Sequence, residues 1–128
     1  MTDYGFTKEL TTPFEEAVES VSKKLADEGF GILTRIDVKE KFKEKLGIDF
    51  MKYVILGACN PSNAHTAITA EINIGLMLPC NVIVYENNGR TIVAAIKPTV
   101  AMQMIGNTAL EEVAETIEAR LGKIIASM

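Results

Sequence analysis

Two cysteines are the residues of this chain whose chemistry stands out. They occur in the segments Gly57-Ala58-Cys59-Asn60-Pro61 and Leu78-Pro79-Cys80-Asn81. The first cysteine directly precedes a predicted helix cap, where free amides and the helix dipole favour a thiolate. The spacing is not Cys-x-x-Cys, so it matches no standard redox or zinc motif. Because free cysteine is among the most buried residue types, simple packing is the competing interpretation.

The only histidine of the chain, His65, offers a third candidate metal ligand. Together with Cys59 and Cys80 it could form a three-ligand transition-metal site with an open position. However, it lies more than one turn into the predicted helix, about 7 Å along the axis from the cap. A surface or partly buried position on the helix is therefore the simpler interpretation of this histidine. The sequence contains no phosphate loop, nucleophile elbow or zinc-protease motif, so it identifies no cofactor.

The two cysteines come together only if the chain places two strands side by side. Residues 53–58 and 81–85 are apolar runs that predict a third and a fourth strand. If these strands are antiparallel neighbours, the end of one lies beside the start of the other. We then expect a ligand-binding cleft with one wall formed by Cys59, Asn60, Pro61, Cys80 and Asn81.

Helix periodicity and capping residues predict the elements around these strands. Thr12, Pro13 and Glu15 indicate the start of a helix with the buried stripe Phe14, Val18, Val21 and Leu25. A capping box of Thr108 and Glu111 indicates the start of a last, strongly amphipathic helix. Between these two long helices, a short charged helix after Asp37 presents only Val38, Phe42 and Leu46 inward. A further helix opens at Asn60-Pro61 and is expected to break at Gly75.

Three more segments read as strands, over residues 4–10, 31–36 and 91–97, and Asn87-Asn88-Gly89 is a hairpin motif. The resulting order predicts one α+β domain over residues 1–128. Its mostly antiparallel, curved sheet has about five strands and carries two long helices on one face. A ferredoxin-like sandwich is the alternative fold. The middle helices or a second copy of the chain would cover the other face.

Composition and charge exclude several classes of partner. The chain has 128 residues, a formal net charge of −4 and a sequence pI of about 5.0. This balance argues against nucleic acid and anionic membranes, because both require clustered Lys and Arg. The amino terminus lacks a basic start followed by an apolar run, and no apolar stretch is long enough to span a bilayer. We therefore expect a soluble cytoplasmic protein.

Three segments together resemble a known family. Leu56-Gly-Ala-Cys-Asn-Pro61, Leu76-Met-Leu-Pro-Cys-Asn81 and Ile96-Lys-Pro98 are similar to the domain of unknown function 302 family of bacterial and archaeal proteins. The resemblance covers nearly the whole chain and implies a fold like that of the TATA-binding protein, with a curved antiparallel sheet gripped by helices. It makes a homodimer unsurprising and implies no catalytic residue. The matching signature positions are Cys59, Pro61, Pro79, Cys80 and Asn81.

Four functions are compatible with these observations, and binding of a small molecule in the cleft near Cys59 and Cys80 is the favoured one. A thiol enzyme or redox sensor would use Cys59 as the attacking thiolate and Cys80 as the resolving partner. A metal protein would use both cysteines and His65. An assembly role would act through a homodimer interface.

Overall fold

A single antiparallel sheet organises the computed structural model, which describes residues 3–128. Each neighbouring pair of strands is antiparallel, and the order across the sheet is β1-β5-β4-β3-β2. This arrangement confirms the prediction of an α+β fold with one five-stranded antiparallel sheet. The strands are β1 (Gly5–Leu10), β2 (Gly31–Asp37), β3 (Tyr53–Cys59), β4 (Cys80–Asn87) and β5 (Arg90–Ile96).

Two long helices cover one face of the sheet, as predicted. Their apolar stripes form the main core, in which Leu25 and Leu121 are fully buried together with Val82 and Val93 of the sheet. No helix in residues 3–128 is long and apolar enough to cross a membrane. The helices are α1 (Phe14–Asp27), α2 (Val38–Leu46), α3 (Pro61–Ala70), α4 (Pro98–Ala101) and α5 (Thr108–Ala126), with 3-10 turns at Ile72–Met77 and Gln103–Ile105.

Strand alternation separates the side chains of the sheet into two sets. One set is buried under α1 and α5: Val54, Leu56, Ala58, Cys80, Val82, Val84, Val93 and Ala95. The residues between them belong to the opposite face, which we call the open face because neither α1 nor α5 covers it. At its centre are Tyr53, Ile55, Asn81, Ile83, Tyr85, Ile92, Ala94 and Ile96.

The middle helices do not cover the open face. Helix α3 packs on α5, where Ala67, Ile74, Met102, Leu110 and Ala114 form a second buried cluster. Helix α2 lies against the edge strand β2 and its neighbour β3, at one side of the sheet, and has no buried residue. The open face was expected to be covered by the middle helices or by a second copy of the chain. The middle helices do not cover it fully.

Both predicted capping boxes of the long helices are wrong by one residue. Helix α1 is capped by Pro13 with no side-chain hydrogen bond, and Glu15 instead accepts a hydrogen bond from Lys52 at 2.6 Å. Helix α5 is capped by Asn107, whose side chain accepts from the amides of Ala109 and Leu110. In α5 the Asn107 side chain takes the free amides, whereas in α1 no side chain caps them and Glu15 pairs with Lys52 of a distant segment.

The short helices differ from expectation in two further ways. Asp37 caps α2 as predicted, by accepting from the Glu40 amide, but Leu46 is 65% exposed rather than inward-facing. After α3, the chain leaves the helix at Glu71, four residues before the predicted break at Gly75. The predicted hairpin is confirmed, because Asn88 and Gly89 both have the positive φ that a tight hairpin turn requires.

Candidate functional site

The strand pairing that was to bring the cysteines together is present. Strands β3 and β4 are antiparallel neighbours, with Ala58 opposite Cys80 and Gly57 opposite Asn81. Cys59 therefore comes directly after Ala58, the residue that pairs with Cys80 on the neighbouring strand. Both cysteines are free thiols. The predicted juxtaposition of the end of β3 and the start of β4 is confirmed, and the two sulfurs form no disulfide.

Burial decides the chemistry of Cys80. The residue is 6% exposed, and burial, with a smaller effect of the neighbouring Cys59, raises its pKa to about 11. It is therefore a neutral thiol at physiological pH, and a neutral thiol is a poor nucleophile. Cys59 is only half-buried at the end of β3. A relay in which Cys80 exchanges electrons as a thiolate has no support in this environment.

The space beside the cysteines is small. Its volume is about 20 Å³, which accommodates roughly one water molecule. The aromatic and aliphatic side chains of Phe30, Leu78 and Ile117 line it together with both cysteines. The expected cleft is thus filled at this point by core packing, because the chain closes tightly where β3 passes into α3.

The remaining predicted site residues take separate structural positions. Asn60 caps α3 by accepting a hydrogen bond from the Asn63 amide at 3.1 Å, and Pro61 occupies the first turn. His65 is exposed on α3. Within residues 3–128 no three His, Cys, Asp or Glu side chains are grouped to hold a metal ion, so the three-ligand site with Cys59 and Cys80 is not formed. Asn81 is exposed and belongs to a different site, on the open face.

A much larger depression lies on the open face. This open-face groove has a volume of about 480 Å³. Its side chains are mostly apolar or aromatic, with hydroxyl and amide groups at a few positions. The lining comprises Tyr4, Gly5, Thr7, Phe50, Met51, Tyr53, Asn81, Ile83, Tyr85, Asn87, Ala94, Ala95 and Ile96.

The groove follows from the sizes of residues that pair across the sheet. Thr7 of β1 lies opposite Ala94 of β5, which in turn lies opposite Ile83 of β4. The neighbouring row begins with Gly5, which lies opposite Ile96. Small side chains on β1 and β5 therefore leave a low floor beside the larger residues of β4.

Aromatic rings close one end of the groove. Tyr53 and Tyr85 are cross-strand partners whose rings stack with centroids 5.4 Å apart and an interplanar angle of 11°. Phe50, from the segment that follows α2, lies 6.4 Å from the Tyr53 ring, and Phe42 of α2 contacts Phe50 edge-on at 5.0 Å. These four rings form a row from α2 to the centre of the sheet.

The described lining of the groove, which falls within residues 3–128, carries no formal charge. None of these lining residues is an acid or a base at neutral pH. Burial, followed by the nearby phenols of Tyr85 and Tyr4, raises the pKa of Tyr53, so its hydroxyl stays protonated. The available polar groups are phenol hydroxyls, the Thr7 hydroxyl and the amides of Asn81 and Asn87.

Of these groove residues, only Asn81 was selected from the sequence. A relevant pattern was present, because residues 53–58 and 81–85 are apolar at nearly every position. Such a strand has apolar side chains on both faces, whereas a sheet face in contact with water alternates with polar residues. The excess of apolar side chains on the uncovered face is the pattern that could have revealed the groove.

These features define a class of protein. It is a one-sheet α+β domain with two long helices on one face and an open, uncharged groove on the other. The model of the family described as "Domain of unknown function DUF302" matches residues 6–128. The chain belongs to this family.

A solved structure is similar over almost the full length of the chain. The crystal structure of an uncharacterised conserved protein DUF302 from Bacillus stearothermophilus shares 36% sequence identity and superposes with a TM-score of 0.91. The match covers 98% of each chain. No curated protein matches this chain. The family membership and the fold are therefore established.

Proposed function

We propose that this protein binds a small neutral molecule in the open-face groove. The observation that carries the proposal is a concave surface of about 480 Å³, uncharged within residues 3–128, on the sheet face that α1 and α5 leave uncovered. This volume is within the range of roughly 300 to 1,000 Å³ that is usual for small-molecule sites. The open-face groove is not the cleft expected near Cys59 and Cys80. Asn81 is the only residue that the groove lining shares with that expected cleft.

The composition of the groove supports a binding role over a catalytic one. A catalytic site usually contains a titratable group whose pKa has been moved toward the working pH. Within residues 3–128 the lining holds no carboxylate, imidazole, amine or thiol, and burial raises the pKa of the Tyr53 phenol, away from neutrality. Apolar walls with a few amide and hydroxyl groups are typical of recognition sites.

Filling the groove is the direct test of this proposal. Ala94→Leu adds three carbon atoms to the floor of the groove on the face opposite the core. Ala119→Leu makes the same change at an exposed position of α5 and is the matched control. The probes are aliphatic and aromatic alcohols of up to about ten carbon atoms, a size that fits a site of this volume.

NMR titration of labelled protein gives the readout. We expect saturable shifts at Ile83, Ala94 and Ile96 with at least one alcohol, their loss in Ala94→Leu and their retention in Ala119→Leu. If no alcohol of either type moves these resonances, or if Ala94→Leu binds as well as the wild type, the groove is not a small-molecule site.

We also propose that the chain forms a homodimer through the 3-10 segments beside the second buried cluster. Leu76 is 90% exposed and Met104 is 84% exposed, and Ile72 is similarly uncovered. These side chains flank the cluster formed by Ile74 and Met102. Large exposed apolar side chains on two turns that pack on the same buried cluster are a candidate protein interface.

Sedimentation across a concentration series tests the dimer. Leu76→Glu should shift the protein to a monomer, because an uncompensated charge would be buried in the interface. Leu33→Glu makes the same change at a Leu that is 66% exposed on β2 and should leave the dimer intact. A wild-type protein that stays monomeric at the highest concentration rules out the dimer.

A further inference from the structure

We infer that the open-face groove selects a flat, neutral aromatic molecule about two fused rings long that carries one hydrogen-bonding group. This inference rests on the proposed function and adds the chemical class of the ligand. Three independent features of the groove carry it: its charge, its row of aromatic rings and the position of one exposed amide.

The charge of the groove argues for a neutral ligand. An ionised molecule that enters an apolar site loses hydration, and this loss is offset only by an opposite charge or by several hydrogen bonds. Among the lining residues that fall within 3–128, the groove has no Lys, Arg, Asp, Glu or His. Carboxylates, phosphates and amines should therefore bind poorly. Glu9 and Arg90, which lie on the same face beside the groove, form an ion pair with each other at 3.3 Å.

The aromatic row argues for a ring system in the ligand. Tyr53 and Tyr85 already adopt a parallel, stacked arrangement with each other, and Phe50 extends the row toward α2. On the β5 side of Tyr85 the row is not continued by another ring, because the residue opposite Tyr85 is Ile92 and the next one on this face is Ala94. A ligand ring above Ala94 would contact the aromatic end of the groove in the offset geometry that rings prefer.

The position of Asn81 gives the length of the ligand and its polar end. Asn81 and Tyr85 lie on the same face of β4, four residues apart, which is roughly 13 Å along a strand. Ile83 lies between them and provides an apolar floor. A molecule that contacts Tyr85 at one end and the exposed amide of Asn81 at the other spans about two fused rings and a hydroxyl group.

Three probes with one carbon skeleton separate these properties. 2-Naphthol is flat and neutral at pH 7, decahydro-2-naphthol is saturated and neutral, and 2-naphthoate is flat and negatively charged. We expect 2-naphthol to bind in the groove with decahydro-2-naphthol roughly fivefold to tenfold weaker, as the loss of ring contacts predicts. We expect 2-naphthoate to be more than about tenfold weaker than 2-naphthol because its charge has no partner.

Two variants assign the preference to named residues. Tyr85→Leu should remove the advantage of 2-naphthol over decahydro-2-naphthol while leaving the affinity for the saturated probe nearly unchanged. A general structural defect would lower both affinities together. Asn81→Ala should weaken both alcohols to the same degree, whereas Ala119→Leu should weaken neither.

The outcomes distinguish this inference from the proposed function. If decahydro-2-naphthol binds as tightly as 2-naphthol, the groove is a small-molecule site without aromatic selectivity and the inference is overturned. Tight binding of 2-naphthoate overturns the neutral-ligand argument in the same way. If none of the three probes binds while another alcohol does, the inference fails and the proposed function stands; if no alcohol binds at all, both fail.

Discussion

At the scale of single residues, burial in the core changes the acidity of Cys80. Burial raises its pKa from an ordinary value of 9.0 to about 11. The folded protein therefore holds the thiol proton more tightly than the unfolded chain does. The resulting stabilisation is complete below about pH 9 and is lost as the pH rises through about 11.

This pKa shift predicts an alkaline loss of stability that depends on one sulfur. Between about pH 9 and pH 11 the free energy of unfolding should fall by roughly 2 to 3 kcal/mol because of Cys80. Urea unfolding of the wild type and of Cys80→Ala over this pH range isolates the effect, because all Lys and Tyr titrations are common to both proteins. Parallel pH profiles for the two proteins would contradict the prediction.

Gly57 is the residue whose lack of a side chain shapes the junction of β2, β3 and the start of β4. A Cβ atom at this position would lie 2.7 Å from Cγ of Pro79 and would overlap Oγ1 of Thr34. Gly57→Ala should therefore lower the free energy of unfolding by roughly 1 to 3 kcal/mol, as overpacking does. The measurement is the urea midpoint.

Gly75 is the matched control for this substitution. A Cβ atom at Gly75 meets nothing within 4 Å, so Gly75→Ala should change the stability by less than about 1 kcal/mol. If both alanine variants unfold at the same urea concentration, the close approach at Gly57 has no energetic consequence.

At the scale of elements, the sequence predicted which segments form helices and strands better than it predicted where they begin. Apolar periodicity is spread over ten or more residues of α1 and α5, so it tolerates an error at either end. A cap depends on one hydrogen bond, and Asn107-Thr108 offers two adjacent residues that can both cap a helix. Asn107 takes this position because its amide nitrogen also donates to the carbonyl oxygen of Ala70 at 3.0 Å.

The two cap candidates of α5 predict different mutational effects. Asn107→Ala should lower the free energy of unfolding by roughly 1 to 2 kcal/mol, because it removes the cap and the bond that ties the end of α3 to the start of α5. Thr108→Ala should stay within about 0.5 kcal/mol of the wild type. Equal losses in the two variants, measured by urea unfolding, would mean that the cap is shared.

The candidate site was harder to predict than the helices and strands. Its position depends on which face of the sheet the helices leave uncovered, and not on where each helix or strand lies in the sequence. The sequence shows that the strands containing Cys59 and Cys80 meet, and this pairing is present. Which side of the sheet stays open depends on where α3 docks, and α3 packs on α5 through Ala67 and Leu110. This docking involves residues that are more than forty positions apart in the chain, and periodicity within a single element contains no information about it.

At the scale of the whole molecule, one helix layer and one sheet must hold together with only one covered face. At one edge of the main core, the first strand β1 packs against the last helix α5. Lys8 of the edge strand β1 donates a hydrogen bond to the carbonyl oxygen of Ala126, 118 residues away in the sequence, at 2.8 Å. Beside this contact, the ring of Phe6 lies so close to Gly122 of α5 that a Cβ atom there would be 2.9 Å from Cζ.

This close approach predicts that β1 is held in the sheet by α5. Gly122→Leu should push the Phe6 ring away and lower the free energy of unfolding by roughly 1 to 3 kcal/mol, although Leu is intrinsically a better helix residue than Gly. Ala119→Leu, three residues earlier on the exposed side of α5, should leave the free energy of unfolding nearly unchanged.

In the double variant Phe6→Ala/Gly122→Leu, the two changes should compensate in part, so that the loss of stability is smaller than the sum of the losses in the single variants. Hydrogen exchange should locate the effect, because the amides of β1 would lose protection first while those of β3 and β4 remain protected. Additive losses, or a uniform loss of protection across all five strands, would show that the last helix stabilises the sheet as a whole and does not hold its first strand in place.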